Sequence, residues 1–498
     1  MNYKAKSPIR QAAVIGGGLG GLSAAIHLCV QGFDVTVYEA NNSVGGRASR
    51  ITCDGFTFDT GPTLLNYPWV FEQLFNFAGG HLYDYVELLL VDPSIRFFWP
   101  QGESLCLTSN LTELVRELER VAPGSGPGLF GFLADASEKY RIAFDKMVCR
   151  NADNTLKWFG SLSPKELFKT GIWRSLDQEL SRFFPNRFIR DALGSYGMYL
   201  GGSPKKLPGI FSILSYGELA MGLWLPRGGI YTLVQAIERL ARRLGVRILT
   251  GQRVEQIVVR NGKTAGVTLT DGRTDNWPIV VSNVDVPTTQ RYLLDNNGNR
   301  PQKTLKMTPS VMTFYWGVRG KIRGAGHHAI FMPHDPARAY KELIGKNEVP
   351  VELPFYMNIA SETDAALAPA ADSSVFILVP LPHPSHAYHG DWLPLEEKIK
   401  QQIFQRLDRH GIKLSPADII LERVMTPQDW KERFGLFDGS AFGAAHTLFQ
   451  MGTFRYPNRD RKIKGLYYAG ASTTPGTGLP MVVLSGRMTA ERIFTDVC

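Results

Sequence analysis

Cysteine is scarce in this chain and does not cluster. The cysteines are odd in number and scattered, at Cys29, Cys53, Cys106, Cys149 and Cys498. With no C-x-x-C pair among them, they provide neither a disulfide framework nor the ligand spacing of a structural zinc site. We therefore expect no structural disulfides and no zinc centre.

Histidine offers one cluster with the spacing of metal ligands, at His383, His386 and His389. The prolines around these residues disfavour a regular helix, and carboxylates that could complete a coordination shell are sparse. We interpret the segment as a solvated or capped loop. The sequence therefore predicts a protein without a bound metal.

Long apolar runs are also missing. No segment approaches the ~18 to 20 apolar residues that are needed to cross a bilayer. The leading residues, MNYKAKSPIR, are polar and lack the apolar core of a signal peptide. These features predict a cytoplasmic chain without a membrane-spanning helix.

The chain carries a net charge of +9 but lacks a dense block of lysine and arginine. Cations and anions are mixed along most of its length, which disfavours nucleic acid as a partner. An anionic membrane surface is the more suitable partner for this moderate positive charge.

A dinucleotide-binding signature stands near the start of the chain. An apolar run at 12–15 reads as a buried strand, and Gly16, Gly18 and Gly21 follow at G-x-G-x-x-G spacing. These glycines permit a tight turn, close approach of a pyrophosphate and close packing of the next helix. Glu39 ends the second strand, where a carboxylate accepts the hydroxyls of an adenosine ribose. This order of a strand, a glycine-rich turn, a helix, a second strand and an acidic residue predicts a bound dinucleotide.

Two further motifs identify the family that the chain resembles. The pattern E-x(5)-G-G-R, from Glu39 to Arg47, resembles flavoproteins of the amine oxidase and carotenoid desaturase superfamily. The pattern G-x(4)-P-G-x-G-x-P, from Gly470 to Pro480, resembles the bacterial carotenoid desaturases, which include phytoene and dehydrosqualene desaturases. Shorter matches run in order between these two motifs, so the resemblance covers nearly the whole chain.

This resemblance implies that the dinucleotide is FAD. Its pyrophosphate would be wrapped by the G-G-R turn, with Arg47 as the counter-charge, and Val254 would give backbone contacts on the adenine side. The positions implied to hold FAD are Gly16, Gly18, Gly20, Gly21, Glu39, Gly45, Gly46, Arg47, Gly61, Pro62, Val254, Asp285, Gly470, Gly478, Leu479 and Pro480.

The expected fold class is α/β, with a Rossmann-type FAD-binding domain assembled from discontinuous segments and an inserted α+β domain facing substrate and membrane. A length of 498 residues, 44% of them hydrophobic, suits two domains. The FAD-binding domain is expected to comprise 1–95, 224–290 and 440–498. The substrate and membrane-docking domain is expected to comprise 96–223 and 291–439.

Residues 157–190 interleave aromatic residues with cations, as in Trp158, Phe168, Trp173 and Arg174. Basic amphipathic helices with Trp and Phe suit the headgroup boundary of a membrane. The alternative is an ordinary core with a solvated basic face. We favour peripheral docking on the inner face of the membrane, from which a long apolar polyene is taken.

The expected activity is FAD-dependent desaturation of a C30 or C40 polyene such as phytoene or dehydrosqualene. Thr474 and Tyr456 depart from the family pattern, so oxygenation of a carotene end group is the first alternative. A soluble amine oxidase and a non-catalytic FAD-binding module are less favoured alternatives. No second G-x-G-x-x-G follows a strand, which favours quinone or oxygen over a pyridine nucleotide as the redox partner. No catalytic residue is assigned, because Arg455 and Glu218 are interpreted as structural.

Overall fold

The computed structural model describes residues 10–151, 155–294, 305–387 and 391–497. In chain order its strands are β1 Gln11–Ile15, β2 Asp34–Tyr38, β3 Arg50–Cys53, β4 Phe56–Asp59, β5 Leu88–Val91, β6 Ile95–Phe98, β7 Ser104–Leu107, β8 Leu223–Pro226, β9 Arg247–Leu249, β10 Val254–Arg260, β11 Lys263–Leu269, β12 Thr274–Asn276, β13 Ile279–Ser282, β14 Ser310–Val318, β15 His328–Phe331, β16 Phe355–Asn358, β17 Ser373–Leu381, β18 Ile419–Met425 and β19 Leu466–Tyr468.

The α-helices of the same residues are α1 Leu19–Val30, α2 Trp69–Phe77, α3 Leu111–Val121, α4 Gly126–Ala143, α5 Thr155–Phe159, α6 Pro164–Lys169, α7 Leu176–Ser181, α8 Arg187–Gly194, α9 Gly197–Leu200, α10 Ser212–Met221, α11 Ile230–Arg243, α12 Val286–Thr288, α13 Pro336–Tyr340, α14 Pro384–Ala387, α15 Leu393–Arg409, α16 Pro427–Phe434 and α17 Leu479–Val497. Within the described residues, no helix is long and apolar enough to span a bilayer.

A five-stranded parallel sheet, in the order β19-β13-β1-β2-β9, forms the first core. Its strands come from widely separated parts of the chain, as predicted. Residues 12–15 of β1 are buried, in keeping with a strand covered on both faces. Because α1 and α17 lie close together on this sheet, Gly486 of α17 has no room for a side chain: a Cβ there would lie 2.4 Å from the Gly20 carbonyl oxygen.

A seven-stranded sheet, in the order β18-β14-β17-β16-β15-β6-β7, forms the second core. Neighbouring strands are antiparallel except β15 and β6, which are parallel. Helix α15 packs on one face through Leu395, Ile399 and Ile403, next to Ile377 of β17. Leu378, the next residue of β17, joins a different core on the opposite face, as the two-residue period of a strand requires.

Two turn signals in the sequence can be compared with the structure. An Asn-Gly pair predicts a two-residue hairpin, and Asn261 and Gly262, both with positive φ, do join β10 to β11 in this way. The proline- and glycine-rich stretch 123–128 predicts a break between helices, but the break is shorter than this stretch, since α4 already begins at Gly126. Pro127 lies in its first turn, where a missing backbone N–H costs nothing.

The aromatic and basic residues of 157–190 are divided between core and surface. Trp158 and Phe184 are buried, whereas Phe168 and Trp173 are 62% and 61% exposed. Several cations form ion pairs; Arg174, for example, lies 3.3 Å from the buried Glu179 carboxylate. Much of this segment is therefore ordinary core with a paired basic face, and its exposed aromatics are fewer than the composition suggests.

Candidate functional site

A cavity of about 550 Å³ lies at the carboxyl ends of β1, β2 and β13. This edge is where open α/β sheets bind their ligands. Of the positions predicted to bind the dinucleotide, those that line the cavity are Gly16, Gly18, Gly20, Glu39, Gly45, Gly46, Arg47, Gly61, Pro62, Val254, Asp285, Gly470, Gly478 and Leu479.

Gly21 and Pro480 stand beside the cavity and not in its wall. A Cβ on Gly21 would lie 2.2 Å from the carbonyl oxygen of Gly16, so this glycine allows α1 to pack tightly on the β1 turn. Pro480 is buried in the first turn of α17. Both residues position the backbone that faces the cavity.

Glu39 is held rigidly at the end of β2. One carboxylate oxygen accepts the backbone N–H of Gly17 at 2.7 Å, and the other accepts the backbone and side-chain N–H groups of Asn41, each at 2.8 Å. The side chain is 4% exposed and borders the cavity. A fixed, buried carboxylate in this place suits the ribose hydroxyls of an adenosine.

The glycine turns pack so closely on neighbouring segments that side chains there would clash. A Cβ on Gly18 would lie 2.9 Å from Nδ2 of Asn283, and one on Gly20 would lie 2.6 Å from Oδ1 of the same side chain. Gly45, at φ +116°, would bring a Cβ to 2.4 Å from the Ala48 carbonyl oxygen. Glycine at 18 and 20 therefore leaves the backbone bare at the N-terminus of α1, which is the kind of place where a diphosphate binds.

Arg47 supplies a cation to the wall of the cavity. Its guanidinium donates to the Ala441 carbonyl at 3.0 Å and lies 3.6 Å from the Asp285 carboxylate. Asp285 is 5% exposed and accepts the Ser472 hydroxyl at 2.5 Å. Arg47, Asp285 and Ser472 therefore join the predicted G-G-R turn to the C-terminal loop across the cavity.

Sequence reasoning missed several residues of this wall. Asn283 stands two residues before Asp285 in a Ser-Asn-x-Asp sequence at the end of β13, and that sequence was the available signal. Its side chain lies close to Gly18 and Gly20. Val311, Leu378, Trp430 and Phe442 form an apolar part of the wall. No local pattern marks these four, because they come from the second sheet and from segments packed against it.

A family model described as flavin containing amine oxidoreductase matches residues 19–322 and 370–494. The chain belongs to this family. It is therefore a flavoprotein oxidoreductase, and FAD is its cofactor.

Similar proteins with named activities indicate which branch of this family the chain belongs to. The zeta-carotene-forming phytoene desaturase of Myxococcus xanthus is 37% identical over 98% of this chain and 94% of its own length. The 4,4'-diapolycopene oxygenase of a Methylomonas species is 32% identical over 98% of this chain and 99% of its own. An oxidoreductase structure from Methanosarcina mazei matches with a TM-score of 0.61 at 18% identity, covering 97% of this chain and 100% of that chain, and supports the fold alone. The flavoprotein is thus a member of the carotenoid desaturase family, as its motifs indicated.

Arg455 of the flavoprotein organises the backbone behind the cavity. The buried guanidinium donates to the carbonyl oxygens of Ala444, Ala445, Gln450, Ala471 and Thr473. Ala471 itself lines the cavity described above. Burial lowers the pKa of Arg455 to about 9, which leaves the side chain charged at neutral pH. Its contacts are those of a positioning residue, in agreement with the structural role predicted for it.

Glu218, in α10, is a second buried ionisable group. Its carboxylate accepts the hydroxyls of Ser94 at 2.6 Å and Tyr196 at 2.9 Å. Desolvation by burial raises the pKa of Glu218 to about 7, and the two hydrogen bonds oppose this shift only in part. The folded protein therefore binds a proton at Glu218 more tightly than the unfolded chain does.

We expect the Glu218→Gln substitution to remove a specific pH dependence of stability. With a folded pKa of about 7 against an ordinary 4.5, this residue favours folding fully below pH 4.5. That contribution declines by about 3 kcal/mol as the pH rises to about 7 and is constant above it. Melting curves of the wild-type and Glu218→Gln proteins between pH 5 and 8 measure this difference. Equal slopes for the two proteins would contradict the assignment.

The histidine cluster is only partly within the described residues. His383 lies 2.7 Å through Nε2 from the Thr308 carbonyl oxygen, so it is engaged with the backbone. The side chain of His386 and the whole of His389 lie outside the described residues. Among the residues that are described, no group of three or more potential metal ligands comes together.

Proposed function

We propose that this flavoprotein is a carotenoid desaturase that introduces conjugated double bonds into a C30 or C40 polyene such as phytoene or dehydrosqualene. The full-length similarity to the Myxococcus phytoene desaturase carries the proposal. The apolar wall of the FAD cavity supports it, because Val311, Leu378 and Phe442 offer a hydrocarbon substrate a surface that needs no polar partner.

When bound, FAD supplies the two-electron acceptor that amino acid side chains lack. The chain binds, orients and encloses it. We assign the glycine turns and Arg47 to the pyrophosphate, Glu39 to the ribose, and Val254 to the adenine side. The remaining predicted positions, from Gly61 and Pro62 to Asp285 and the 470–480 loop, are assigned to the rest of the cofactor. Quinone or oxygen is the proposed final electron acceptor.

The two sheets support separate roles for two domains, one in binding the cofactor and one in binding the substrate. We assign FAD binding to 1–95, 224–290 and 440–498, which contain the parallel sheet. The inserted α+β part, 96–223 and 291–439, contributes most of the seven-stranded sheet and is assigned to the polyene. The apolar wall residues Val311, Leu378 and Trp430 belong to this part, so the substrate would meet the cofactor at the junction of the two.

The deciding experiment is production of the protein in a carotenoid-free bacterium that is supplied with phytoene or with dehydrosqualene. A ladder of longer-wavelength polyenes from either substrate would establish desaturation, and its length would give the number of steps. The 32% identical diapolycopene oxygenase makes end-group oxygenation the second candidate. Aldehyde or acid products that appear only from a fully desaturated carotene would favour that candidate and contradict the first.

Peripheral membrane docking is part of the proposal, and exposed apolar side chains on and near α5 suit it. Leu156 and Phe449 are 84% and 73% exposed, and Leu448 and Phe454 are also exposed. The loop that carries Leu448, Phe449 and Phe454 packs on α5, since a Cβ on Gly452 would lie 3.0 Å from the Trp158 ring. These four exposed side chains, the α5 patch, would insert between the headgroups of an anionic bilayer that attracts the net charge of +9.

We expect the double substitution Leu156→Ser and Phe449→Ser to weaken membrane binding at least tenfold. Each large apolar side chain that leaves the bilayer forfeits about 2 kcal/mol of transfer free energy. Co-sedimentation with phosphatidylglycerol vesicles measures the loss, and Val351→Ser, at a residue that is 65% exposed, is the control. Equal binding by the double variant and the wild type would rule out the α5 patch as the docking site.

A further inference from the structure

A second, narrow cavity adjoins the FAD cavity. Leu378 lines both of them. The rings of Tyr199 and Phe442 make a second connection: Tyr199 lines the narrow cavity, Phe442 lines the FAD cavity, and their centroids are 5.4 Å apart. The narrow cavity, which we call the distal cavity, therefore lies directly beside the place where substrate would meet the cofactor.

The floor of the distal cavity is a row of side chains that crosses the seven-stranded sheet. Leu378 of β17 pairs with Tyr356 of β16, and Tyr356 pairs with Ile330 of β15. All three line the cavity. Strands lie about 4.8 Å apart, so the row extends roughly 10 Å away from the FAD cavity. Phe97 of β6, next to Ile330 in register and 1% exposed, closes the row.

The roof of the distal cavity comes from α9 and α13, through residues such as Tyr199 and Tyr340. None of the residues described in its lining carries a charge. The hydroxyl of Tyr356 is already engaged with Thr63 and with His328, each at 2.6 Å. The occupant must therefore be slender and apolar, because a charged or strongly polar group would be desolvated here without a partner.

We propose that the distal cavity receives the end of the polyene beyond the reacting carbons, and that Ile330 at its far end sets the chain length accepted. This inference rests on the proposed desaturase function. In this proposal the polyene passes from the FAD cavity at Leu378, which lines both cavities, and runs across the strands over Tyr356 to Ile330. The side-chain volume at Ile330 then acts as the stop that distinguishes a C30 from a C40 substrate.

Two substitutions of opposite size at Ile330 test this role. Ile330→Ala lengthens the distal cavity. We expect the ratio of kcat/KM for phytoene to kcat/KM for dehydrosqualene to rise roughly tenfold, in favour of the longer phytoene. Hydrophobic pockets discriminate between substrates by such small differences in length. Ile330→Phe shortens the cavity and is expected to shift the ratio in the opposite direction. Ile330→Leu, which conserves volume, is the control and should leave the ratio unchanged.

The same preference is measured without turnover, as equilibrium binding of each polyene to purified, FAD-loaded protein in detergent micelles. Flavin absorbance and melting temperature verify that each variant is folded. If the wild type oxidises neither polyene, the proposed function fails, but opposite shifts in binding preference would still support the role of Ile330. If binding and turnover preferences are equal in the Ala, Leu and Phe variants, or if the wild type binds neither polyene, the inference is overturned.

Discussion

Gly20→Ala is expected to weaken FAD binding severely. The added Cβ would lie 2.6 Å from Oδ1 of Asn283 and 3.1 Å from the backbone nitrogen of Gly470. The second contact is the harder to relieve, because backbone held by its own hydrogen bond cannot rotate away; the Gly470 N–H donates to Ser485 at 3.1 Å. The substitution therefore pushes α1 away from the C-terminal loop, and these are the two halves of the cavity.

The expected loss is at least 100-fold in FAD affinity, equivalent to about 2.7 kcal/mol. The ratio of flavin to protein absorbance after purification, followed by titration with FAD, measures it. Gly345→Ala is the matched control, since a Cβ there meets only Lys341 at an ordinary 3.8 Å. Stoichiometric flavin in purified Gly20→Ala protein would contradict this prediction, because it would show that α1 and the C-terminal loop can move apart without a loss of FAD affinity.

The glycine turns, Glu39 and the C-terminal loop that line the larger cavity were predictable because their signals are local. Gly16, Gly18 and Glu39 lie on one continuous strand-helix-strand unit. The spacing of such residues in the sequence therefore predicts their relative positions in space. The 470–480 loop is similar, with glycines and prolines that lead into α17. These short-range patterns survive folding because the backbone conformations they require are set by neighbours in sequence.

The apolar wall and the distal cavity were not predictable, because long-range register creates them. Leu378, Tyr356 and Ile330 are unremarkable residues of three strands, and each becomes part of one row only when the strands pair. A one-residue slip in either pairing would turn that row to the opposite face. Glu218 is a similar case, since its pKa depends on burial beside Ser94 and Tyr196.

Composition also overstated the membrane character of 157–190. Phe184 and Phe168 look alike in sequence, yet one is fully buried and the other is 62% exposed. The helices of this segment are too short to establish a long apolar stripe, so periodicity could not separate the two groups. The α5 patch instead combines Leu156, which precedes this segment, with a loop far along the chain.

Arg455→Met is expected to produce the largest loss of stability. A guanidinium has five N–H donors, and here all five are directed at backbone carbonyl oxygens within 444–473. Methionine fills the space but leaves these buried acceptors without donors, at a cost of about 1–3 kcal/mol each when no partner replaces the arginine. We expect an overall loss of at least about 4 kcal/mol, since some carbonyls will find new partners.

Arg455→Lys separates charge from hydrogen-bond geometry. Lysine keeps the cation but has only three donors on one nitrogen, so it cannot reach both the 444–450 and 471–473 segments in the same way. The free energy of unfolding should therefore fall in the order Arg, Lys, Met, and FAD should dissociate more readily in the same order because Ala471 lines its cavity. Chemical denaturation measures the free energy of unfolding, and flavin release measures the dissociation of FAD. Arg461→Met, at an exposed arginine nearby, is the control and is expected to change either free energy by less than about 0.5 kcal/mol. If the Lys variant matched the wild type, the positive charge alone would account for the role of Arg455, and the five directed hydrogen bonds would not.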